Sequence, residues 1–108
     1  MQDVDTIDPI GFWETQTLIH YAKVVATDSG GVIKEAYYHW TPCVIMDRQT
    51  EWLEAVDEGW AVIAGPDRNE ILKWLKDFPR PKSNGKVFGD GKAAERIVGI
   101  IEEYFCFV

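Results

Sequence analysis

The alternation of short apolar runs with helical patterns constrains the fold of this 108-residue chain more than any other feature. Three runs are typical of buried strands, and each is followed by apolar residues at helical spacing. The predicted strands are 23–27, 43–46 and 60–64. Short strands that alternate with helices form parallel sheets through crossover connections. The expected fold is therefore α/β, a three-layer Rossmann-like arrangement in which helices flank a small, mainly parallel sheet.

The segments between and after these strands are predicted to be helices and one loop. Helices are expected at 12–22, 32–40, 52–56, 68–78 with Asp67 as the N-cap, and 93–105 with Asp90 as the N-cap. The last helix has the clearest i, i+3, i+4 pattern, so we expect it to bury a broad apolar stripe. Residues 80–91 are rich in Gly, Pro and Ser and are predicted to form an exposed loop.

Composition favours one folded domain over residues 1–108. Apolar residues make up 46% and aromatic residues 13%, which supplies a core. The net charge of −7 disfavours nucleic acid and anionic membrane surfaces, so a phosphate ligand would have to be held by local contacts. The chain has no apolar run of membrane-spanning length, its first eight residues do not resemble a signal peptide, and Cys43 and Cys106 lie far apart. We expect a soluble cytoplasmic protein.

The Ser29-Gly30-Gly31 turn is the sharpest candidate for a binding site. It lies between a predicted strand and a predicted helix, where glycines let a ligand approach the backbone and the helix start attracts an anion. Glu35, one turn further on, could accept hydrogen bonds from a ribose diol. The ordinary alternative is a tight turn followed by a solvated acid, and the local pattern alone modestly favours it.

The wider sequence resembles the C-terminal part of the UDP-N-acetylglucosamine 2-epimerases. The resemblance runs from about Pro9 to the end of the chain, through several motifs in the family's order. These motifs are Thr27-Asp28-Ser29-Gly30-Gly31-Val32, Lys34-Glu35-Ala36, Pro42-Cys43-Val44, Thr50-Glu51-Trp52, Glu54-Ala55-Val56 and Gly89-Asp90-Gly91-Lys92-Ala93-Ala94-Glu95-Arg96-Ile97.

This resemblance implies the C-terminal half of a GT-B fold, in which two Rossmann-type domains enclose a nucleotide sugar. By the same resemblance, the turn residues Ser29, Gly30 and Gly31 would contact the diphosphate of UDP or UDP-GlcNAc, and Glu35 would hold the ribose. Glu51 and Trp52 match the family's Thr-Glu-Trp or Thr-Glu-Arg segment and are further candidate ligand contacts. Arg48 is a further candidate contact, because Asp47-Arg48 stands where many members have Arg-Asp. Thr15 stands where an aromatic residue often packs near the base, so uracil recognition is open.

The resemblance also bears on catalysis. Family members interconvert UDP-GlcNAc and UDP-ManNAc, and their acid–base groups belong to a first domain that has no counterpart in these residues. We therefore expect no catalytic residue, cofactor or metal site here, and no role for His20 or His39, which have no recognisable partners. Three hypotheses remain: a fragment that binds UDP, one half of an isomerase completed by a separate N-terminal-domain partner, or a self-associating remnant. A homodimer or that separate partner is expected, since a lone half-fold would expose apolar surface.

Overall fold

The computed structural model describes residues 4–86 and 88–105, and the side chains of all of these except residue 105. Three parallel strands and five helices alternate along the described chain. They are α1 (Phe12–Tyr21), β1 (Val25–Thr27), α2 (Gly30–Tyr38), β2 (Cys43–Ile45), α3 (Leu53–Asp57), β3 (Ala61–Ile63), α4 (Arg68–Lys76) and α5 (Ala93–Phe105). The predicted α/β fold with a small parallel sheet is confirmed.

The sheet has the order β1-β2-β3, with β2 in the centre. Val25 pairs with Cys43, and Cys43 pairs with Ala61, so the three strands begin at the same level. All three residues of β2 are buried, because β2 has a strand on each side and helices pack over the sheet. Parallel strands covered in this way are apolar throughout, which explains why they could be recognised from the sequence.

The core lies where α2 and α3 pack near the sheet. Its largest fully buried side chains include Tyr37 of α2, Ile45 of β2 and Trp60 at the start of β3. The Trp60 indole N–H donates to the carbonyl oxygen of Ser83 at 2.9 Å, so this aromatic residue is both buried and hydrogen-bonded. Ser83 is thereby attached to the core, while most described residues of the 80–91 segment are exposed, as predicted.

Helix α5 departs most from the expectation. The prediction that it buries a broad apolar stripe is wrong within the described residues, since every described side chain of α5 is exposed. Ile97, Ile101 and Tyr104 keep 56%, 50% and 69% of their surface accessible. The apolar pattern of α5 is real, but no described part of the chain covers it.

Two helix starts also differ in detail from the prediction. Helix α2 begins at Gly30 and not at residue 32, because Ser29 already acts as its N-cap. Asp67 caps α4 as predicted, accepting from the backbone N–H groups of Asn69 and Glu70. The prediction that Asp90 is the N-cap of α5 is wrong, because the helix begins at Ala93, three residues later; Asp90 instead accepts from the backbone N–H of Lys92 at 3.0 Å.

Candidate functional site

The site begins where β1 passes into α2. Ser29 has an extended backbone, with φ −85° and ψ 122°, and its Oγ accepts from the backbone N–H of Val32 at 3.4 Å. The Ser29 backbone N–H in turn donates to Thr27 Oγ1 at 3.0 Å. Among the described residues nothing accepts from the backbone N–H groups of Gly30 and Gly31. The first turn of α2 therefore presents two free donors at the positive end of the helix dipole.

The two glycines of this turn differ in what surrounds them. A Cβ at Gly30 would lie 3.1 Å from Trp52 Nε1 and 3.2 Å from Glu51 Oε1, so the packing around this position is tight and favours glycine. A Cβ at Gly31 would meet only Ser29 Oγ, at the ordinary contact distance of 3.9 Å. Neither glycine has a positive φ. Protein packing and backbone conformation therefore give no reason for glycine at position 31, which leaves a free backbone N–H open to an approaching group.

Glu51 and Trp52 reach this turn from the segment before α3. The two contacts with the Cβ position of Gly30 show that both side chains lie against the start of α2. The exposed Glu51 carboxylate is there favourably placed toward the positive end of the helix. The indole N–H of Trp52 is buried and has no hydrogen-bond partner. The structure thus brings both residues to the predicted turn.

Glu35 and Arg48 are placed differently. Glu35 is half-buried in the second turn of α2, four residues after Gly31 and so on the same helix face. Among the described residues its carboxylate makes no hydrogen bond or ion pair. Arg48 is exposed after β2, and its Cγ lies 4.0 Å from the Cβ position of Gly65, which follows β3. Arg48 shares the carboxyl edge of the sheet but is next to a different strand end.

The described residues of the segment 84–90, which are 84–86 and 88–90, lie along the side of α2. Asn84 Nδ2 donates to the Tyr37 carbonyl oxygen at 2.7 Å, and Gly85 N–H donates to the Glu58 carboxylate at 2.8 Å. The Tyr37 hydroxyl donates to both oxygens of that carboxylate at 3.0 Å. Phe88 packs against Tyr37 with ring centroids 5.0 Å apart. Polar and aromatic contacts together fix this segment beside the candidate site.

The histidines contact each other, although the sequence indicated no partner for either. His20 Nδ1 lies 3.2 Å from His39 Nδ1, and His39 Nε2 lies 2.7 Å from the Gln16 side-chain oxygen. This chain of contacts joins α1 to the end of α2, whereas the candidate turn is at the beginning of α2. The two imidazoles therefore form part of the contact between α1 and α2.

Three of the described titratable groups, all outside the turn, have shifted pKa values, and each shift has a local structural cause. Burial raises the pKa of the Cys43 thiol to about 12, so the thiol stays protonated at neutral pH. The side-chain hydrogen bond from Arg96, followed by the backbone hydrogen bond from Lys92, lowers the pKa of Asp90. Burial, with a smaller contribution from Asp90, raises the pKa of Tyr38. Within the described residues, no group of three or more His, Cys, Asp and Glu side chains could hold a metal ion.

The fold defines the class of this protein: a Rossmann-like α/β unit that matches the C-terminal part of GT-B epimerase structures. A family model described as UDP-N-acetylglucosamine 2-epimerase matches residues 1–102. The chain therefore belongs to the UDP-N-acetylglucosamine 2-epimerase family, which confirms the resemblance found in the sequence. Among the described residues, no helix is long and apolar enough to cross a membrane.

Two curated relatives and one solved structure give the extent of the similarity. A UDP-N-acetylglucosamine 2-epimerase homolog of Methanococcus maripaludis is 38% identical, over 88% of this chain and 27% of that protein. The UDP-2,3-diacetamido-2,3-dideoxy-D-glucuronate 2-epimerase of Pseudomonas aeruginosa is 39% identical over the same shares. The Methanocaldococcus jannaschii UDP-GlcNAc 2-epimerase in complex with UDP-GlcNAc and UDP has a TM-score of 0.78 and 34% identity, over 90% of this chain and 27% of that chain. The chain thus spans about a quarter of the length of these proteins.

Proposed function

We propose that residues 1–108 form a single nucleotide-binding domain that holds UDP or a UDP-sugar at the start of α2. The main observation is at Gly31: the surrounding protein would leave room for a side chain there, and the backbone N–H has no acceptor among the described residues. The family's binding of UDP-GlcNAc and UDP, seen in the M. jannaschii complex, supports this ligand. In this proposal the diphosphate accepts from the N–H groups of Gly30 and Gly31 and from the Ser29 hydroxyl.

Glu35 completes the proposed site by holding the ribose. Its half-buried carboxylate has no protein partner among the described residues, and it lies on the same helix face as Gly31. A carboxylate is an acceptor for the two hydroxyls of a ribose but repels phosphate. In this proposal Glu51 likewise accepts from ligand hydroxyls. Arg48 would contact the ligand only at the far side of the carboxyl edge of the sheet, beside Gly65.

The chain would bind but not epimerise without further polypeptide. Epimerisation needs general acid–base groups at the sugar. Two carboxylates near the turn, those of Glu35 and Glu51, are assigned to binding in this proposal, and the histidines contact each other beside α1. The first domain expected from the family would supply these groups, as a separate chain or as another part of the same polypeptide.

The exposed α5 face supports this first domain as the binding partner. No described part of the chain covers its apolar residues, and relatives of the chain are more than three times as long, since 88% of this chain matches only 27% of the first relative. Sedimentation of the 108-residue chain tests the alternative partner, a second copy. If the chain forms a stable dimer that Ile97→Glu abolishes, the α5 face binds a second copy and not the first domain. A monomer whose α5 amides exchange rapidly would support the first domain as the partner.

The test of UDP binding compares the same substitution in two helices. Gly31→Ala should stabilise the fold by about 0.5–1 kcal/mol, because alanine favours a helix over glycine. The same variant should lose at least about tenfold in UDP affinity, because its new methyl group blocks the N–H of residue 31. Gly99→Ala in α5, where a Cβ would meet nothing within 4 Å, is the matched control and should leave UDP binding unchanged.

NMR titration of the labelled chain with UDP gives the readout. Shifts centred on residues 29–35 that disappear in Gly31→Ala but persist in Gly99→Ala would support the site. Glu35→Gln should also reduce the preference for UDP over 2′-deoxy-UDP, since it weakens the acceptor for the ribose diol. No shift at saturating UDP in the unmodified chain would refute the proposed function.

A further inference from the structure

Lys34 lies on the face of α2 that contains Gly30. It follows Gly30 by four residues, and side chains so spaced are neighbours on a helix surface. Helical side chains also tilt toward the N-terminus of their helix. The half-buried Lys34 side chain is therefore directed toward the turn that we propose binds the diphosphate.

Two aromatic rings hold the Lys34 ammonium group. Its Nζ lies 4.9 Å from the ring centroid of Trp52 and 5.5 Å from that of Phe88, both within the range of cation–π attraction. The two rings pack edge to face, with centroids 5.2 Å apart. Phe88 is itself fixed against Tyr37. The ammonium group is thus attracted to a surface that the core keeps in place.

The same indole ring connects Lys34 to the start of the helix. Trp52 Nε1 lies 3.1 Å from the Cβ position of Gly30, while the face of the ring attracts Lys34. The Trp52 side chain therefore lies against both the Gly30 position and the Lys34 ammonium group. A methyl group at position 30 would press on this ring, which gives a packing reason for glycine there.

The charge on Lys34 is not neutralised by the protein. Among the residues that the structure describes, no carboxylate lies within 4.0 Å of its Nζ, although the chain has 18 acidic residues and a net charge of −7. A half-buried cation without an ion-pair partner, one turn after free backbone N–H groups on the same helix, is an arrangement that an anionic ligand would complete. An anion bound there would gain an attraction that the acidic remainder of the chain does not provide.

We propose that Lys34 is a phosphate-binding residue whose ammonium group pairs with the diphosphate of the nucleotide, with Trp52 and Phe88 as its positioning residues. This inference rests on the proposed function and adds to it the source of positive charge. It also gives Trp52 a role distinct from a direct ligand contact, because its buried N–H faces the glycine turn and its ring face holds Lys34.

The experiment measures binding of UDP and of uridine, which lacks phosphate, by titration calorimetry with the 108-residue chain. Lys34→Met, which keeps the side-chain length without the charge, should weaken UDP binding about three- to tenfold and leave uridine binding unchanged. Lys34→Arg should retain most of the UDP affinity. Raised salt should reduce the difference between Lys34→Met and the unmodified chain, since ionic screening weakens the charge–charge attraction.

Lys76→Met is the matched control. It removes the same charge from the last turn of α4, whereas Lys34 lies in the middle of α2, one turn after Gly30. Equal UDP affinities for Lys34→Met and Lys76→Met would overturn the role of Lys34 while leaving the proposed function intact. No UDP binding by the unmodified chain would instead refute the proposed function, and the role of Lys34 with it.

Two further arms identify the group that Lys34 contacts. If Lys34→Met weakened binding of UDP-glucuronate but not of UDP, its ammonium group would face a sugar carboxylate and the diphosphate assignment would be wrong. Phe88→Leu should weaken UDP binding when Lys34 is present and have no further effect in Lys34→Met. An equal effect in both backgrounds would contradict the positioning role of Phe88.

Discussion

Helix α2 lies against β1 and β2 and buries Ile33, Ala36 and Tyr37, whereas every described side chain of α5 is exposed. Both helices have apolar residues at helical spacing, and α5 has the more regular pattern. The difference is that α2 directly connects two strands of one sheet, so the crossover brings its apolar face onto that sheet. Between α4 and α5 the described residues, 77–86 and 88–92, form no strand, and none follows α5 in the described part of the chain. An amphipathic pattern therefore identifies a face that must be covered, but not the surface that covers it.

The comparison predicts very different costs for one substitution in the two regions. Ile45→Ala removes a fully buried side chain from the central strand and should lower the free energy of unfolding by about 2–5 kcal/mol. Ile101→Ala in α5 should change it by less than about 0.5 kcal/mol. Urea denaturation at equal protein concentrations measures both values. Similar costs would mean that α5 is packed in solution.

The polar contacts between α2 and the segment after α4 should have the next largest effect. Tyr37→Phe removes the hydroxyl that donates to Glu58, which should cost about 1–3 kcal/mol and speed amide exchange at Gly85, another donor to that carboxylate. Tyr104→Phe on the exposed face of α5 is the matched control and should change neither quantity. Unchanged exchange at Gly85 in Tyr37→Phe would show that Glu58 is fixed by other contacts.

Removing a helix cap should have a smaller effect on the free energy of unfolding. Asp67 Oδ1 accepts from Asn69 N–H at 2.9 Å and from Glu70 N–H at 3.3 Å. Asp67→Ala should therefore destabilise the chain by about 1 kcal/mol in urea denaturation. Asp5→Ala removes an exposed acid outside any helix and should have almost no effect. Equal effects of the two substitutions would contradict a capping role for Asp67.

Amide exchange at the start of α5 should depend on pH, and this is the smallest of the four predicted effects. Arg96 lowers the pKa of Asp90 in the folded chain, so the contact stabilises the helix start above the unfolded pKa, about 3.9, and is lost as the pH falls through the folded value. Amide exchange in the first turn of α5 should therefore be slower in the unmodified chain than in Asp90→Asn at pH 7, and the difference should disappear at low pH. Because Asp90 and Arg96 are exposed, high salt should reduce the difference. A difference that persisted at low pH would exclude this ion pair as its cause.

Much of the candidate site could be predicted from local sequence. Ser29, Gly30 and Gly31 follow a recognisable strand, and Glu35 shares a helix face with Gly31 through simple periodicity. Their chemical roles remain predictions. Lys34 was not singled out, although its four-residue spacing from Gly30 was a usable signal. Its importance depends on Trp52 and Phe88, which come from segments 18 and 54 residues further along the chain. Only folding brings those rings to one amine.

The sequence by itself determined the alternation of strands and helices, the parallel sheet and the family, because these follow from local periodicity and from motifs in order. Tertiary structure alone decided which apolar surfaces are covered. Trp60 is buried while Trp40 keeps 46% of its surface exposed, and α5 is uncovered despite its regular stripe. Burial depends on what lies opposite a side chain, and that neighbour is set by connections between distant segments. Periodicity within one element carries no information about it.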